Sequence, residues 1–192
     1  MPREIQILNA SSVKPAGMEA LASRLQEIFL VPVAPVRAAL NLRAAYDASR
    51  RQTNSTSLLA QILAGRCPPE SKRIGIVDVD LFIPILTFVF GEAQLGGTAA
   101  VVSTHRLSNQ YYGLGRNDAL MLQRLEKELV HELGHTFGLY HCPQFECVMR
   151  ASTYVEEIDL KRVYPCPSCA AQLQSQPQMA GWRSSDISGQ AH

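Results

Sequence analysis

The strongest constraint on this chain is eleven residues long: His131-Glu132-Leu133-Gly134-His135-Thr136-Phe137-Gly138-Leu139-Tyr140-His141. Residues four apart lie on one face of an α-helix, a turn from each other. The spacing therefore predicts a helix that presents His131 and His135 to one Zn²⁺ at about 2.0–2.1 Å. Gly138 tolerates a positive φ, which lets the chain leave the helix and bring His141 back from a third direction. Three imidazoles leave one corner of a tetrahedral ion open, the arrangement of a catalytic zinc rather than a structural one. Glu132 adjoins the first ligand without being one, and is placed to take a proton from water at that corner. An amphipathic core helix with two histidines four apart is the plainer alternative, but it gives Gly138 and His141 nothing to do. Leu122, Leu125, Leu129 and Leu133 fall on the opposite side at about 100° per residue, so they tie the helix to a core and turn the histidines toward a cleft. Asn117 or Asp118 is the expected cap and Phe137 the expected end.

Four of the five cysteines follow at once: Cys142, Cys147, Cys166 and Cys169, as C-x4-C, eighteen residues, then C-x2-C. The chain opens without the apolar core of an export signal, so these thiols are expected to stay reduced and to form a tetrahedral structural zinc site with four cysteine ligands. A redox pair at Cys166-Pro167-Ser168-Cys169 and two disulfides are the competing readings. Redox pairs usually sit at a strand-to-helix junction, unlike a chain end rich in Pro and Ser. Cys67, before Pro68-Pro69, reads as a structural residue without chemistry. One peptide bond joins His141 to Cys142, so the two sites are expected to be mechanically coupled, the second zinc fixing a segment too poor in apolar residues to fold by burial alone.

A chain of 192 residues, 46% hydrophobic and 18% charged, can bury an ordinary core and reads as one domain over residues 1–170. A net charge of +1 with 18 scattered basic residues leaves no electrostatic footprint for nucleic acid or anionic lipid. No apolar run approaches the roughly 20 residues of a membrane span, so the expectation is a soluble cytoplasmic monomer. Periodicity predicts a strand over 4–8, a helix over 16–29 with Leu21, Leu25 and Ile28 on one face, and a proline-interrupted strand over 31–36. A helix over 51–64, stopped by Gly65, and strands over 73–79, 86–90 and 99–103 complete an α/β (α+β) chain with a mixed twisted sheet. After Cys169, residues 171–192 are rich in Gln, Ser, Pro and Gly around a lone Trp182 and read as a flexible tail.

His-Glu-x-x-His-x-x-Gly-x-x-His with Met149 eight residues later, in Cys147-Val148-Met149, matches the metzincin signature. The run into Cys-x4-Cys-x-Met and later Cys-x-x-Cys resembles the archaemetzincin branch. Arg51-Gln52, Asp78-Val79-Asp80-Leu81, Phe88-Val89-Phe90-Gly91-Glu92-Ala93 and Ser103-Thr104-His105-Arg106-Leu107 are similar to segments of that family, so the likeness covers most of residues 3–169. It implies a metzincin-like zincin fold: an upper part, about 1–137, with the long active-site helix, and a small lower part, about 138–170, with a cleft between them. It further implies catalytic zinc on His131, His135 and His141, Glu132 as general base, Met149 beneath the metal, and a second zinc on the four late cysteines. Arg150-Ala151-Ser152-Thr153-Tyr154 departs from the family's turn, and Ala151 stands where some metzincins place a tyrosine ligand. Tyr154 could instead supply a hydroxyl to an oxyanion, though a packed or exposed tyrosine is the plainer reading.

The expected activity is that of a zinc metallopeptidase acting on peptides or proteins. A zinc-stabilised binding module that cleaves nothing, and a hydrolase of a non-peptide amide or ester, remain as alternatives. Residues 90–102, with Gly96-Gly97, read as an edge strand at the cleft rim, able to pair with extended peptide. Glu92 is the candidate carboxylate for a substrate ammonium. His105 reads as a satisfied histidine, Arg50-Arg51 as a solvated pair, and Asp78 and Asp80 as turn-shaping residues.

Overall fold

β1 (Ile5–Asn9) sends Ile5 and Ile7 to one face and Leu8 to the other, the period-two alternation of a strand covered on both sides. The computed structural model describes residues 4–37, 39–65, 68 and 70–175, so Cys67, Trp182 and residues 176–192 lie outside the described residues. α1 (Pro15–Phe29) opens on a proline, whose missing N–H is no loss in a first turn, and buries Leu21, Leu25 and Ile28 as their spacing predicts. β2 (Val33–Arg37) returns parallel to β1, with Ile5 opposite Val33. Its Pro35 sits on the outermost strand, where a missing donor is tolerated.

The next stretch departs from expectation. Before the helix expected over 51–64, the chain forms α2 (Leu42–Ala45), then the short antiparallel pair β3 (Tyr46–Asp47) and β4 (Gln52–Asn54), which takes the first residues of that range. α3 (Ser55–Ala64) begins only where the Asn54 side chain accepts from the Ser57 N–H at 2.9 Å. β5 (Lys72–Val77) follows, ending two residues before the expected limit, and β6 (Leu81–Phe82) pairs with β4. The strand expected over 86–90 is absent as such: Val89 makes one bridge to Leu81, and the strand proper is β7 (Gly91–Ala93). β8 (Ala99–Ser103) forms over the expected residues. After two short 3₁₀ turns, His105–Leu107 and Asn109–Tyr112, come α4 (Asp118–Thr136), α5 (Val155–Leu160) and α6 (Pro167–Ser175). α6 carries regular structure five residues into the stretch read as a tail. The three short helices α2, α5 and α6 escaped the sequence reading because none is long enough to show a clear period.

The main sheet has the order β2-β1-β5-β8-β7, parallel throughout except for β7 at the far edge. α1 and α4 pack on the face formed by Ile5, Ile7, Ile74, Ile76, Ala100 and Val102. α3 covers the other face, against Leu8, Val77, Ala99 and Val101. α4 thus lies on the sheet beside β7, and its C-terminal end is fastened there. The Lys72 ammonium donates to the carbonyls of Gly97 at 2.6 Å and Thr136 at 2.8 Å, and the Gly96 N–H donates to the His135 carbonyl at 2.8 Å. Among the described residues no helix is long and apolar enough to cross a membrane.

Candidate metal centre and active-site cleft

α4 is capped by Asn117, whose side chain accepts from the Leu120 N–H, and buries Leu125, Leu129 and Leu133, with Leu122 partly buried against the same core. That packing directs His131 and His135 toward the cleft. Phe137 ends the helix and stacks on Phe29 at 5.1 Å. Gly138 then takes φ 89°, the left-handed region that glycine enters without strain, and His141 swings back. Its ring centroid lies 5.3 Å from that of His131 and 4.9 Å from that of His135.

The imidazole tautomers follow from their partners. Nδ1 of His131 lies 2.8 Å from the Val148 carbonyl, and Nδ1 of His135 lies 2.7 Å from the Leu139 carbonyl. A carbonyl oxygen only accepts, so both Nδ1 atoms carry the proton and both Nε2 atoms carry a lone pair. Those two Nε2 atoms face each other at 3.1 Å, an arrangement that repels unless a cation stands between them. Two nitrogens bound at about 2.05 Å to one tetrahedral Zn²⁺ would lie about 3.3 Å apart, so the donor set fits the ion. Burial, with neighbouring Lys161 and His135, holds His131 well below the ordinary imidazole range, and burial lowers His135 and His141 too. Neutral imidazole is the form a metal requires.

Glu132 is buried beside these ligands, and burial together with Glu128 and Glu92 pushes its carboxyl well above the ordinary range. Gly91 of β7 lies against it: a Cβ at position 91 would meet Glu132 Cγ and Oε1 at 2.7 Å. Met149 packs beneath the turn of α4 that carries the ligands, close enough that a Cβ on Gly134 would meet its sulfur at 2.5 Å. Its carbonyl accepts from the Cys142 N–H at 2.9 Å. A cavity of about 310 Å³ opens here, lined by Leu86, Phe88, Phe90 and Gly91 above, by Glu128, His131 and Glu132 on α4, and by His141 and Ala151, Ser152 and Thr153 beyond it.

Cys142, Cys147, Cys166 and Cys169 converge with their sulfurs within 4.8 Å of one another. Cys142 and Cys166 stand 3.7 Å apart, close to the roughly 3.8 Å of two thiolates about 2.3 Å from one tetrahedral ion and far from a disulfide of about 2.05 Å. The Cys166 N–H donates to the Cys147 sulfur at 3.2 Å. Cys169 lies in the first turn of α6, which no strand precedes, so the strand-to-helix setting of a redox pair is missing.

The other candidates separate clearly. Glu92 is half-buried on β7 and accepts from Ser55 Oγ at 2.5 Å and from Thr56 Oγ1 at 2.9 Å, so its carboxylate is fastened to the first turn of α3. Arg50 is not a solvated residue. It lies 4.2 Å over the Phe82 ring and donates to the Leu86 carbonyl at 2.7 Å, fixing a loop that lines the cleft, whereas Arg51 is exposed. Asp78 accepts from the Ser12 N–H, and Asp80 pairs with Arg106 through both oxygens. His105 packs on Tyr111, away from the three clustered imidazoles. Tyr154 is exposed at the start of α5. The sequence reading missed the Val148 carbonyl, which as backbone carries no residue signature. It also missed Glu128 and Lys161, a buried ion pair whose only sequence trace is that Glu128 precedes Glu132 by one helical turn.

The sequence model of peptidase family M54 matches residues 70–175. An archaemetzincin of Archaeoglobus fulgidus is 39% identical over 162 residues, 84% of this chain and 94% of that one. One from Thermococcus kodakarensis is 43% identical over 130 residues, 67% of this chain and 70% of its own length. This chain is an archaemetzincin of peptidase family M54. The crystal structure of the Methanopyrus kandleri archaemetzincin agrees with it at a TM-score of 0.79, with 34% identity over 90% of this chain and 94% of that one. The Archaeoglobus fulgidus structure gives 0.74, with 38% identity over 88% and 99%. The archaemetzincin is accordingly a zinc metallopeptidase with the mixed α/β architecture of those structures.

Proposed function

We propose that this archaemetzincin hydrolyses peptide bonds with one zinc on the Nε2 atoms of His131, His135 and His141, a second zinc on the four cysteines, and Glu132 as general base. The observation that carries the reading is the pair of unprotonated Nε2 atoms facing at 3.1 Å beside a buried carboxylate. When bound there, Zn²⁺ supplies a Lewis acid that acidifies water and polarises a carbonyl. The chain's own residues do the rest. Val148 and Leu139 fix the two imidazoles through their carbonyls, so the ligands need no reorganisation. Glu132, sealed between α4 and Gly91, accepts the proton of the attacking water and hands it to the leaving amine nitrogen. β7 is the outermost strand of its sheet and borders the cleft at Gly91, so an extended peptide can add to it as a further strand. The proposal includes a cytoplasmic monomer without nucleic-acid or membrane partners. The net charge of +1 and the need of four thiolates for a reducing compartment support it.

Zinc-loaded protein and its Glu132→Ala variant, incubated with a peptide library and read by mass spectrometry, test this. The parent should cut, and the variant should cut at least about 100-fold more slowly at unchanged zinc content. A zinc-loaded parent that cuts nothing would leave a binding module, and zinc lost from the variant would make Glu132 structural.

A further inference from the structure

Glu128 lies one turn before Glu132 on the same face of α4 and lines the cavity beside it. Its carboxylate stands 3.6 Å from the Lys161 ammonium, with the two side chains 4% and 1% exposed. That distance is an ion pair and not a hydrogen bond. Among the described residues, Glu128 Oε1 and Lys161 Nζ are both buried without a hydrogen-bond partner, and so is the hydroxyl of Ser152, which lines the same cavity. Leu86, Phe88 and Phe90 supply apolar walls. The cavity therefore joins an apolar sleeve to an acceptor and a hydroxyl that no described residue satisfies. Buried polar groups are nearly always paired, so this combination points to a ligand group that pairs them.

We infer that Glu128 and Ser152 form the polar end of a specificity pocket. It receives a substrate side chain flanking the scissile bond and selects a neutral tip that both donates and accepts, tyrosine or glutamine. This deepens the peptidase reading and rests on it. Lys161 stands behind Glu128 and balances its charge, so a lysine, arginine, aspartate or glutamate in the pocket would bring a third, uncompensated charge. A leucine or phenylalanine would fill the sleeve and leave the carboxylate and hydroxyl unpaired, the mismatch that sites built to bind a hydroxyl reject most strongly. A phenol or carboxamide donates to Glu128 and accepts from Ser152.

The test reads the residues around each cut in a peptide library, for the zinc-loaded parent, Ser152→Ala and Glu128→Met/Lys161→Met. The double change removes both charges together and keeps side-chain length, so no lone buried ion remains. Binding is measured in parallel by calorimetry, on zinc-loaded Glu132→Ala, with peptide pairs that differ only as tyrosine against phenylalanine at the enriched position. The parent should favour tyrosine and glutamine over phenylalanine and leucine at least about tenfold. The double variant should bring the ratio to within about twofold, and Ser152→Ala should lower it. If the double variant does not fold, the parent's ratio and Ser152→Ala decide. A parent that favours phenylalanine, leucine or any charged residue at both flanking positions overturns the inference, as does a ratio unmoved by the variants. Cutting without side-chain preference overturns it alone. Failure of every peptide to be cut or bound overturns it together with the peptidase reading.

Discussion

Gly91 shows how little room the proposed base has. A methyl group there would meet Glu132 Cγ and Oε1 and the backbone oxygen of Val101, each at 2.7 Å, and the last of these cannot rotate away. Gly91→Ala should therefore displace the carboxylate or the edge strand. A shift of about 1 Å at a reacting group can cost on the order of 100-fold in rate. We expect a loss of that size in kcat/KM at unchanged zinc content. Gly115→Ala, where a Cβ would meet nothing within 4 Å, should cost nothing and serves as the control. His131, Glu132 and His135 were legible in the sequence because helical spacing brings them together, and His141 because Gly138 marks the turn that returns it. Glu128 and Lys161 were not, since a buried ion pair between distant segments has no local pattern.

The segment between α4 and α5 returns to α4 at two points, through the Val148 carbonyl on His131 and through Met149 beneath Gly134. Cys142 and Cys147 both lie in it, Cys147 directly before Val148 and Met149, so the proposed second zinc would hold the groups that orient the first. Cys166→Ser should then weaken the histidine site about 10–100-fold, the usual cost of losing an orienting partner, in a competition titration with a chelator. Loss of one zinc with undiminished affinity at the other would break the coupling. A second dependence belongs to the far end of α4. Burial lowers Lys72 from 10.5 to about 8, so between those values the unfolded chain binds more protons than the folded one and stability from this group rises with pH. The melting temperature of the parent relative to Lys72→Met should climb from pH 7.5 to 10, and a flat difference would count against it. At this scale the long periodic helices and β8 could be read directly. β3, β4, β6, α5 and α6 could not, because partners distant in sequence fix them: β6 pairs with β4, and Cys169 meets Cys142 and Cys147.

The whole molecule hangs on α4, which touches the sheet, the edge strand and α5. The buried Arg124 makes a two-pronged bond to Asp159 at 2.7 Å and reaches the Leu107 carbonyl, so the helix ties α5 to the 3₁₀ turn after β8. Metal that binds only the folded chain must stabilise it. Free zinc at about 100 times its dissociation constant adds about 2.7 kcal/mol, which in a domain of this size raises the melting temperature by roughly 5–10 °C. A thermal scan with and without chelator measures this, and no shift would mean that the clustered donors do not bind the ion. The single peptide between His141 and Cys142 also limits how such a chain can change over generations. Added length at that junction would pull imidazole and thiolate apart and unhinge both centres in one event.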